Sequence, residues 1–133
     1  MKTKYFLNNK DSLNIKINKP SLIFIKGDLG AGKTTLSKYI INNLLGNNYD
    51  ITSPTYTYYN KYDNIYHFDL YRLNNYDEFF AIGGEDILDN NEGVIIIEWP
   101  ELIEDYYKAD IEIILSKTEI ENQREIEIIY KNK

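Results

Sequence analysis

The stretch "GDLGAGKTTL", residues 27–36, decides how this sequence is interpreted. It matches the spacing GxxxxGK[ST], with Gly27 as the first glycine and Gly32, Lys33 and Thr34 at the end. The apolar run "SLIFIK" comes before it, and "KTTLSKYIINNLL", with apolar residues at helical spacing, continues from it. A strand, a glycine loop and a helix in this order predict a loop that wraps its backbone N–H groups around phosphates.

The residue types in this loop suit a nucleoside triphosphate. Glycines allow the backbone N–H groups to turn inward, and the N-terminus of the following helix attracts negative charge. We expect Lys33 to reach the β- and γ-phosphates, Thr34 to bind Mg²⁺ through its hydroxyl, and Thr35 to donate to the α-phosphate. The predicted nucleotide-binding residues of this loop are Asp28, Leu29, Gly30, Ala31, Gly32, Lys33, Thr34 and Thr35.

The whole chain has 133 residues, a formal net charge of −6 and no cysteine. This length predicts one domain over residues 1–133, in the α/β class: a single-domain P-loop NTPase with a central mixed β-sheet flanked by a few helices. No apolar run approaches the roughly 18 residues of a membrane span, and the lack of cysteine fits a cytoplasmic protein. The negative charge argues against direct binding of nucleic acid.

Further strands follow from alternation and turn residues. "KYFLN" and "SLNIKI" predict an N-terminal hairpin, and "SPTYTYYNKYDNIYHFDLYRL" predicts a hairpin that turns near Asp63 and Asn64. Short helices are expected between Asn74 and Asn91. "GVIIIEW" predicts a buried strand, and "ADIEIIL" with "REIEIIY" predicts a closing hairpin.

The buried strand ends in Glu98, which we expect to be the second protein ligand of Mg²⁺ and part of the catalytic machinery. Most strands of this kind end in Asp, and a solvated acid at the strand end is also compatible with the pattern. Trp99 follows directly, and it suits either an aromatic lid on the core or a place near the nucleotide.

A second group of polar residues lies in "IYHFDLYRL", where His67, Asp69 and Tyr71 share one face of a strand. Asp69 is predicted to orient the attacking water, and Arg72 to place positive charge on the γ-phosphoryl group. An edge strand with a local Asp69–Arg72 ion pair is the alternative. Thr55, in "SPTYT", is the candidate for a contact to the γ-phosphate, or else the start of an ordinary strand.

The four segments "GDLGAGKTTL", "SPTYTYY", "YHFDLYRL" and "VIIIEWPE", in this order and spacing, resemble the TsaE family of bacterial ATPases, also called the YjeE family. The resemblance covers roughly residues 22–130. It implies ATP and Mg²⁺ as cofactors and TsaB and TsaD as protein partners. It also implies a role in the threonylcarbamoyladenosine modification of tRNAs that read codons beginning with adenosine. TsaD would transfer the group, ATP hydrolysis would reset the complex, and tRNA would be met only through the complex.

Residue by residue, the resemblance assigns Lys33 and the loop backbone to the phosphates, Thr34 and Glu98 to Mg²⁺, and Asp69 to catalysis. Thr55 matches the switch-like segment of the family. Arg124, in "NQREIEI", matches an arginine near the nucleotide, and His67, Tyr71, Arg72 and Trp99 also match the family pattern.

The N-terminus departs from this pattern. Relatives have an amphipathic helix and an adenine-contacting Thr before the P-loop strand, whereas "MKTKYFLNNKDSLNIKINKP" is strand-like. The resemblance therefore assigns no residue to the adenine base.

Two other functions stay open from the residues alone. A small-molecule kinase would need an arginine-rich lid, but the chain has only Arg72 and Arg124. A nucleotide-gated binding module would bind a partner with little hydrolysis, and Asp69 and Glu98 argue against it.

Overall fold

One mixed sheet organises residues 2–10, 13, 15–46 and 58–131, the part of the chain that the computed structural model describes. Seven strands form it within these residues: β1 (Lys2–Phe6), β2 (Ser21–Gly27), β3 (Tyr59–Tyr62), β4 (Ile65–Asp69), β5 (Val94–Glu98), β6 (Ile111–Lys117) and β7 (Gln123–Tyr130). The helices of the same residues are α1 (Lys33–Leu45), α2 (Tyr76–Ala81), α3 (Gly84–Asp89) and a 3-10 helix (Pro100–Leu102).

The strands lie in the order β1-β7-β6-β2-β5-β4-β3. The central four, β6, β2, β5 and β4, are parallel, and both sides are extended by antiparallel pairs, β6–β7 and β7–β1 on one side and β4–β3 on the other. Parallel strands that are covered on both faces read as unbroken apolar runs. The sequence "VIIIE" of β5 is such a run, and all five of its residues are buried.

Alternation along the central strands divides the core between the two faces of the sheet. On one face, Ile23 and Ile25 of β2 pack with Leu36, Ile40 and Ile41 of α1. The opposite face holds a separate cluster, to which α2, α3 and the 3-10 helix contribute; it includes Phe24, Phe68, Phe79, Leu88, Ile95, Ile97 and Ile103. Odd and even positions of one strand therefore serve different cores.

Helix α1 begins directly after the glycine loop and ends where its apolar spacing ends. Gly46 follows in the left-handed conformation, with φ 76°, and its N–H bonds the carbonyl oxygen of Asn42. A glycine in this conformation commonly ends an α-helix. The predicted strand, loop and helix around residues 27–36 are confirmed.

Most of the other predicted elements are also present. The structure confirms the hairpin that turns at Asp63 and Asn64, the two short helices after Asn74, the buried strand to Glu98 and the closing hairpin of β6 and β7. The predicted α/β class with a central mixed sheet is therefore confirmed.

The predicted N-terminal hairpin is wrong. β1 pairs with β7 instead of with the "SLNIKI" segment, and residues 13 and 15–20 form no strand. The register sets Lys2 opposite Glu127 and Lys4 opposite Glu125. These pairs of opposite charge favour the distant partner, since directly opposed side chains are the unit of sheet stabilisation.

Across the described ranges, no helix is both long and apolar enough to cross a membrane.

Candidate nucleotide-binding site

Three neighbouring parallel strands end at the same edge of the sheet. β2 ends at Gly27, β4 at Asp69 and β5 at Glu98, and the register pairs Glu98 with Ile25 on one side and with Asp69 on the other. In open α/β sheets, ligands bind outside the carboxyl ends of the strands. The glycine loop and the two carboxylates therefore lie together because of the strand order.

Two glycines of the loop adopt backbone angles that other residues rarely take. Gly30 has φ 81° and Gly32 has φ 100°, and Gly32 directly precedes α1. Backbone in this left-handed region costs little only for glycine. The turn into the helix therefore depends on these positions.

Lys33, the first residue of α1, extends back along the loop. Its Nζ donates to the carbonyl oxygens of Gly27, at 2.7 Å, and of Asp28, at 2.9 Å. Nζ also lies 4.0 Å from the centre of the Trp99 ring. Burial lowers the pKa of Lys33, while the charge of Glu98 opposes this shift. An ammonium group has three donors, so two of them are used by the loop itself.

Thr34 and Glu98 make the central contact of the site. The Oγ1 hydroxyl of Thr34 donates to Oε1 of Glu98 at 2.8 Å. Glu98 is 1% exposed, so its carboxylate needs donors on both oxygens. The contact brings together the two residues that the sequence pairs as Mg²⁺ ligands.

The second oxygen of Glu98 faces away from Thr34. Oε2 lies 2.6 Å from Nε2 of His67 and accepts from Oγ of Ser37 at 2.9 Å. Burial alone would raise the pKa of Glu98, but the hydrogen bonds from His67, Thr34 and Ser37, together with the charge interaction with His67, outweigh it and hold the pKa below its usual value. The site therefore keeps Glu98 ionised.

Asp69 lies at the end of β4, half-buried beside Glu98. Its Oδ1 accepts from the backbone N–H of Tyr71 at 3.0 Å. Burial raises the pKa of Asp69; the bond from Tyr71 opposes the shift and the charge of Glu98 adds to it. A carboxylate with a raised pKa at the edge of a cleft is well placed to accept a proton or to orient water.

Trp99 covers one side of the loop. Its backbone has φ 59°, an unusual value for a residue with a side chain, and this turns the chain sharply after Glu98. The indole lies 4.8 Å from the Tyr71 ring, between centroids, and also contacts Lys33. Trp99 therefore lines the cleft beside Lys33, and it belongs to neither core cluster.

These residues line one cleft of about 380 Å³, a size typical of small-molecule sites. Its lining includes most of the predicted residues and one that was not predicted. The lining residues are Leu7, Leu29, Gly30, Gly32, Lys33, Thr34, Thr35, Asp69, Tyr71, Glu98 and Trp99. Of the predicted loop residues, Asp28 and Ala31 are not in this lining; they offer backbone carbonyls to Lys33 and Arg124.

Arg124 supports the loop from β7. Its Nε donates to the carbonyl oxygen of Ala31 at 2.9 Å, Nη2 donates to that of Gly30 at 3.3 Å, and Nη1 donates to that of Gln123 at 2.9 Å. Arg124 therefore fixes the loop through its carbonyls, and its predicted contact to nucleotide stays a prediction.

The predicted roles of two further residues stay predictions. Arg72 is exposed and is not among the lining residues, so its predicted catalytic role stays a prediction. Thr55 lies outside the described residues.

Sequence reasoning missed Ser37 and Leu7. Ser37 is four residues after Lys33 and three after Thr34, so helical spacing would have placed it on the same face of α1. Leu7 reaches the cleft because β1 pairs with β7, and no local signal in the sequence shows that pairing.

The residues present fit Mg²⁺. Thr34 and Glu98 offer two oxygen donors 2.8 Å apart at the cleft, and oxygen is the ligand atom that Mg²⁺ takes. Residues 2–10, 13, 15–46 and 58–131 contain no group of three or more His, Asp or Glu side chains arranged to hold a metal. A P-loop site does not need one, because phosphates and water complete its coordination.

A glycine loop between a central parallel strand and its helix, with a buried acid at the end of the next strand, defines the P-loop NTPase fold. Within this class, residues 4–126 match the family model "Threonylcarbamoyl adenosine biosynthesis protein TsaE". The chain belongs to the TsaE family.

Curated relatives and a solved structure agree with this assignment. The TsaE protein of Rickettsia typhi is 40% identical over 94 residues, which are 68% of this chain and 62% of that protein. The Borreliella burgdorferi TsaE is 44% identical over 85 residues, 61% of each chain, and the Bacillus subtilis TsaE is 34% identical over 109 residues, 79% of this chain and 66% of that one.

The crystal structure of Bacillus subtilis YdiB superposes with a TM-score of 0.57 at 29% identity, covering 84% of this chain and 69% of YdiB. The matched stretch thus spans only 61% to 66% of the length of these three curated relatives.

Proposed function

We propose that this protein binds ATP together with Mg²⁺ and hydrolyses the bond between its β- and γ-phosphates. The contact between Thr34 and Glu98, at 2.8 Å beside the loop and Lys33, is the observation that supports this most strongly. It sets two oxygen ligands next to a cationic group at a loop built for phosphates. Asp69 lies at the same edge, where an attacking water would be oriented.

The roles of the residues follow from their positions. Lys33 would keep its bonds to the loop carbonyls and direct its remaining donor to the β- and γ-phosphates. Thr34 and Glu98 would hold Mg²⁺, which neutralises charge on the phosphate oxygens when it is bound. Asp69 would accept a hydrogen bond from water in line with the γ-phosphate. Arg72 would supply positive charge to the γ-phosphoryl group in the transition state.

We propose further that hydrolysis serves tRNA modification. The family name refers to threonylcarbamoyladenosine biosynthesis, and the match to the family covers residues 4–126. In this proposal the protein acts with TsaB and TsaD in the cytoplasm, and ATP turnover resets the complex without transferring the threonylcarbamoyl group. The net charge of −6 fits a component that meets tRNA only through its partners.

A single series of titrations tests the proposal. Trp99 is the only tryptophan, so its fluorescence reports nucleotide binding near Lys33. ATP would be titrated with and without Mg²⁺, and hydrolysis measured for the protein alone and with TsaB, TsaD and tRNA. The variants are Asp69→Asn and Glu98→Gln, and Glu119→Gln on the exposed turn between β6 and β7 is the matched control.

We expect slow hydrolysis alone, a marked increase with the partners, and loss of hydrolysis in the two site variants but not in Glu119→Gln. Binding of ATP with no partner-stimulated hydrolysis would favour a nucleotide-gated binding module instead. Failure of ATP to bind at all would contradict the whole proposal.

A further inference from the structure

A buried histidine contacts the proposed metal ligand from the side opposite the cleft. His67 is 0% exposed, and its Nε2 lies 2.6 Å from Oε2 of Glu98. Because the carboxylate can only accept, Nε2 carries the proton of this bond. The other ring nitrogen, Nδ1, is buried without a hydrogen-bond partner among the described residues. Among the described residues, the imidazole thus makes one hydrogen bond, and that bond is to Glu98.

The two oxygens of Glu98 have different partners. Oε1 accepts from Thr34, a residue that lines the cleft, while Oε2 accepts from the buried His67 and Ser37. The Ser37 hydroxyl also lies 2.9 Å from the carbonyl oxygen of Lys33. It has a single proton and cannot serve both acceptors at once. His67 is therefore the donor on which the orientation of Oε2 mainly depends.

We propose that His67 is a positioning residue for the Mg²⁺ ligand. It holds Oε2 of Glu98 on the core side, so that Oε1 is presented to Thr34 and to the cleft, and Ser37 assists it. This inference rests on the proposed function, since it assigns a role within the same site.

The side-chain length of Glu98 explains why such support is needed. Glutamate has one more rotatable bond than aspartate, so its carboxylate can point in more directions from the end of β5. Mg²⁺ requires nearly ideal octahedral geometry, and a misdirected oxygen weakens its binding. Groups that orient a metal ligand typically change metal affinity by 10–100-fold when they are removed.

A purely structural role for His67 makes a different prediction. If the ring only filled space in the core, substitutions would change thermal stability, but the Mg²⁺ dependence of ATP affinity would stay that of the wild type. His67→Gln and His67→Asn separate the two roles. Both carry an amide, but glutamine places its N–H₂ near the position of Nε2, whereas asparagine ends one methylene earlier and does not reach Oε2.

The experiment measures the dissociation constant of ATP by Trp99 fluorescence as a function of free Mg²⁺ for each variant. We expect His67→Asn to need about 10–100-fold more Mg²⁺ for half of the effect, with ATP binding in the absence of Mg²⁺ unchanged. His67→Gln should lie near the wild type, and Ser37→Ala between the two. Thermal unfolding of each variant shows that it is folded.

Each outcome decides the proposal. Equal Mg²⁺ dependence in His67→Asn and His67→Gln would overturn the positioning role while leaving the proposed ATP site intact. An ATP affinity of the wild type that does not respond to Mg²⁺ would instead overturn the metal site itself, and the role of His67 with it. If His67→Asn does not fold, His67→Leu, which fills space without a donor, replaces it, and a Mg²⁺ dependence equal to that of the wild type in folded His67→Leu would also overturn the proposal.

Discussion

The Nε atom of Arg124 donates to the carbonyl oxygen of Ala31 at 2.9 Å, which joins two residues 93 positions apart in the chain. Arg124 belongs to β7, two strands away from β2, and yet it holds the wall of the phosphate loop. The loop is therefore supported by strands on both sides, by β5 through Glu98 and by β7 through Arg124.

Replacing Arg124 should weaken both the fold and the site. We expect Arg124→Ala to lower the free energy of unfolding by about 2–3 kcal/mol, because carbonyl oxygens that accept from a buried cation lose their donor. ATP affinity should fall as well. Arg124→Lys should recover part of the stability but little of the affinity, since a single ammonium cannot bridge two carbonyls. Urea unfolding and ATP titration measure the two effects, and equal recovery of both would contradict this reasoning.

Lys33 should matter chiefly for binding. Lys33→Met keeps an unbranched apolar side chain and removes the charge, so we expect the dissociation constant of ATP to rise at least about tenfold, from the loss of a charged hydrogen bond. Lys38→Met, on the same helix but outside the cleft lining, is the control and should bind as the wild type does. Calorimetric titration compares the two, and a similar affinity in both would remove Lys33 from the site.

Replacing Asp69 should raise the stability of the protein and lower its activity. Its pKa is raised by burial, so folding disfavours its charged form. Its contribution to stability is thus greatest at acid pH and is lost as the pH rises through the pKa of the folded state. We expect Asp69→Asn to be more stable than the wild type at pH 7, with a difference that shrinks as the pH falls toward 4. Hydrolysis should fall by about 100-fold or more if Asp69 acts on the water.

Denaturant unfolding at several pH values measures the stability part of this prediction. An Asp69→Asn variant less stable than the wild type at pH 7 would show that the bond from Tyr71 outweighs the burial of the charge.

Tyr5 allows a prediction about stability that does not involve the nucleotide-binding site. It is 3% exposed, and its hydroxyl has no hydrogen-bond partner among the described residues. Burial raises the pKa of Tyr5 from 10.0 to about 12. Tyr5→Phe should therefore be more stable by about 1 kcal/mol at neutral pH, because an unsatisfied buried hydroxyl is removed.

The pH dependence of this difference follows from the raised pKa. The neutral phenol is favoured in the folded state, so the wild type keeps its stability below pH 10 and loses it as the pH rises through about 12. The advantage of Tyr5→Phe should widen by about 1.4 kcal/mol per pH unit in this window. A constant difference between pH 8 and pH 11, measured by urea unfolding, would show that the Tyr5 hydroxyl reaches solvent.

Short sequence patterns predicted the elements of the fold that depend on residues close together in the chain. The GxxxxGKT spacing placed the loop, the β-branched run before Glu98 placed a buried strand, and the turn at Asp63 and Asn64 placed a hairpin. The pairing of β1 was not predictable in this way. The residues opposite Lys2 and Lys4 lie more than 120 positions away in the chain.

The same limit applies to the site. Glu98 and Asp69 stand out as polar groups at the ends of apolar strands, but their nearness follows from the strand order, which the pattern of each strand does not contain. The contacts of His67 and Arg124 likewise depend on the strand order. A histidine in a strand and an arginine in a hairpin do not show, without the register, which carboxylate or carbonyl they will meet.

The central place of β2 in the sheet predicts the order in which the strands exchange their amide protons. β2 is bonded to β5 and β6, whereas β1 is an edge strand bonded to β7. Local opening costs least at edges and approaches global unfolding in the centre. Amide protons of β1 should then exchange with deuterated solvent well before those of Ile23, Phe24 and Ile25. Leu7, directly after β1, would leave the cleft in such openings, while the strand that carries the glycine loop would exchange only when the whole chain unfolds.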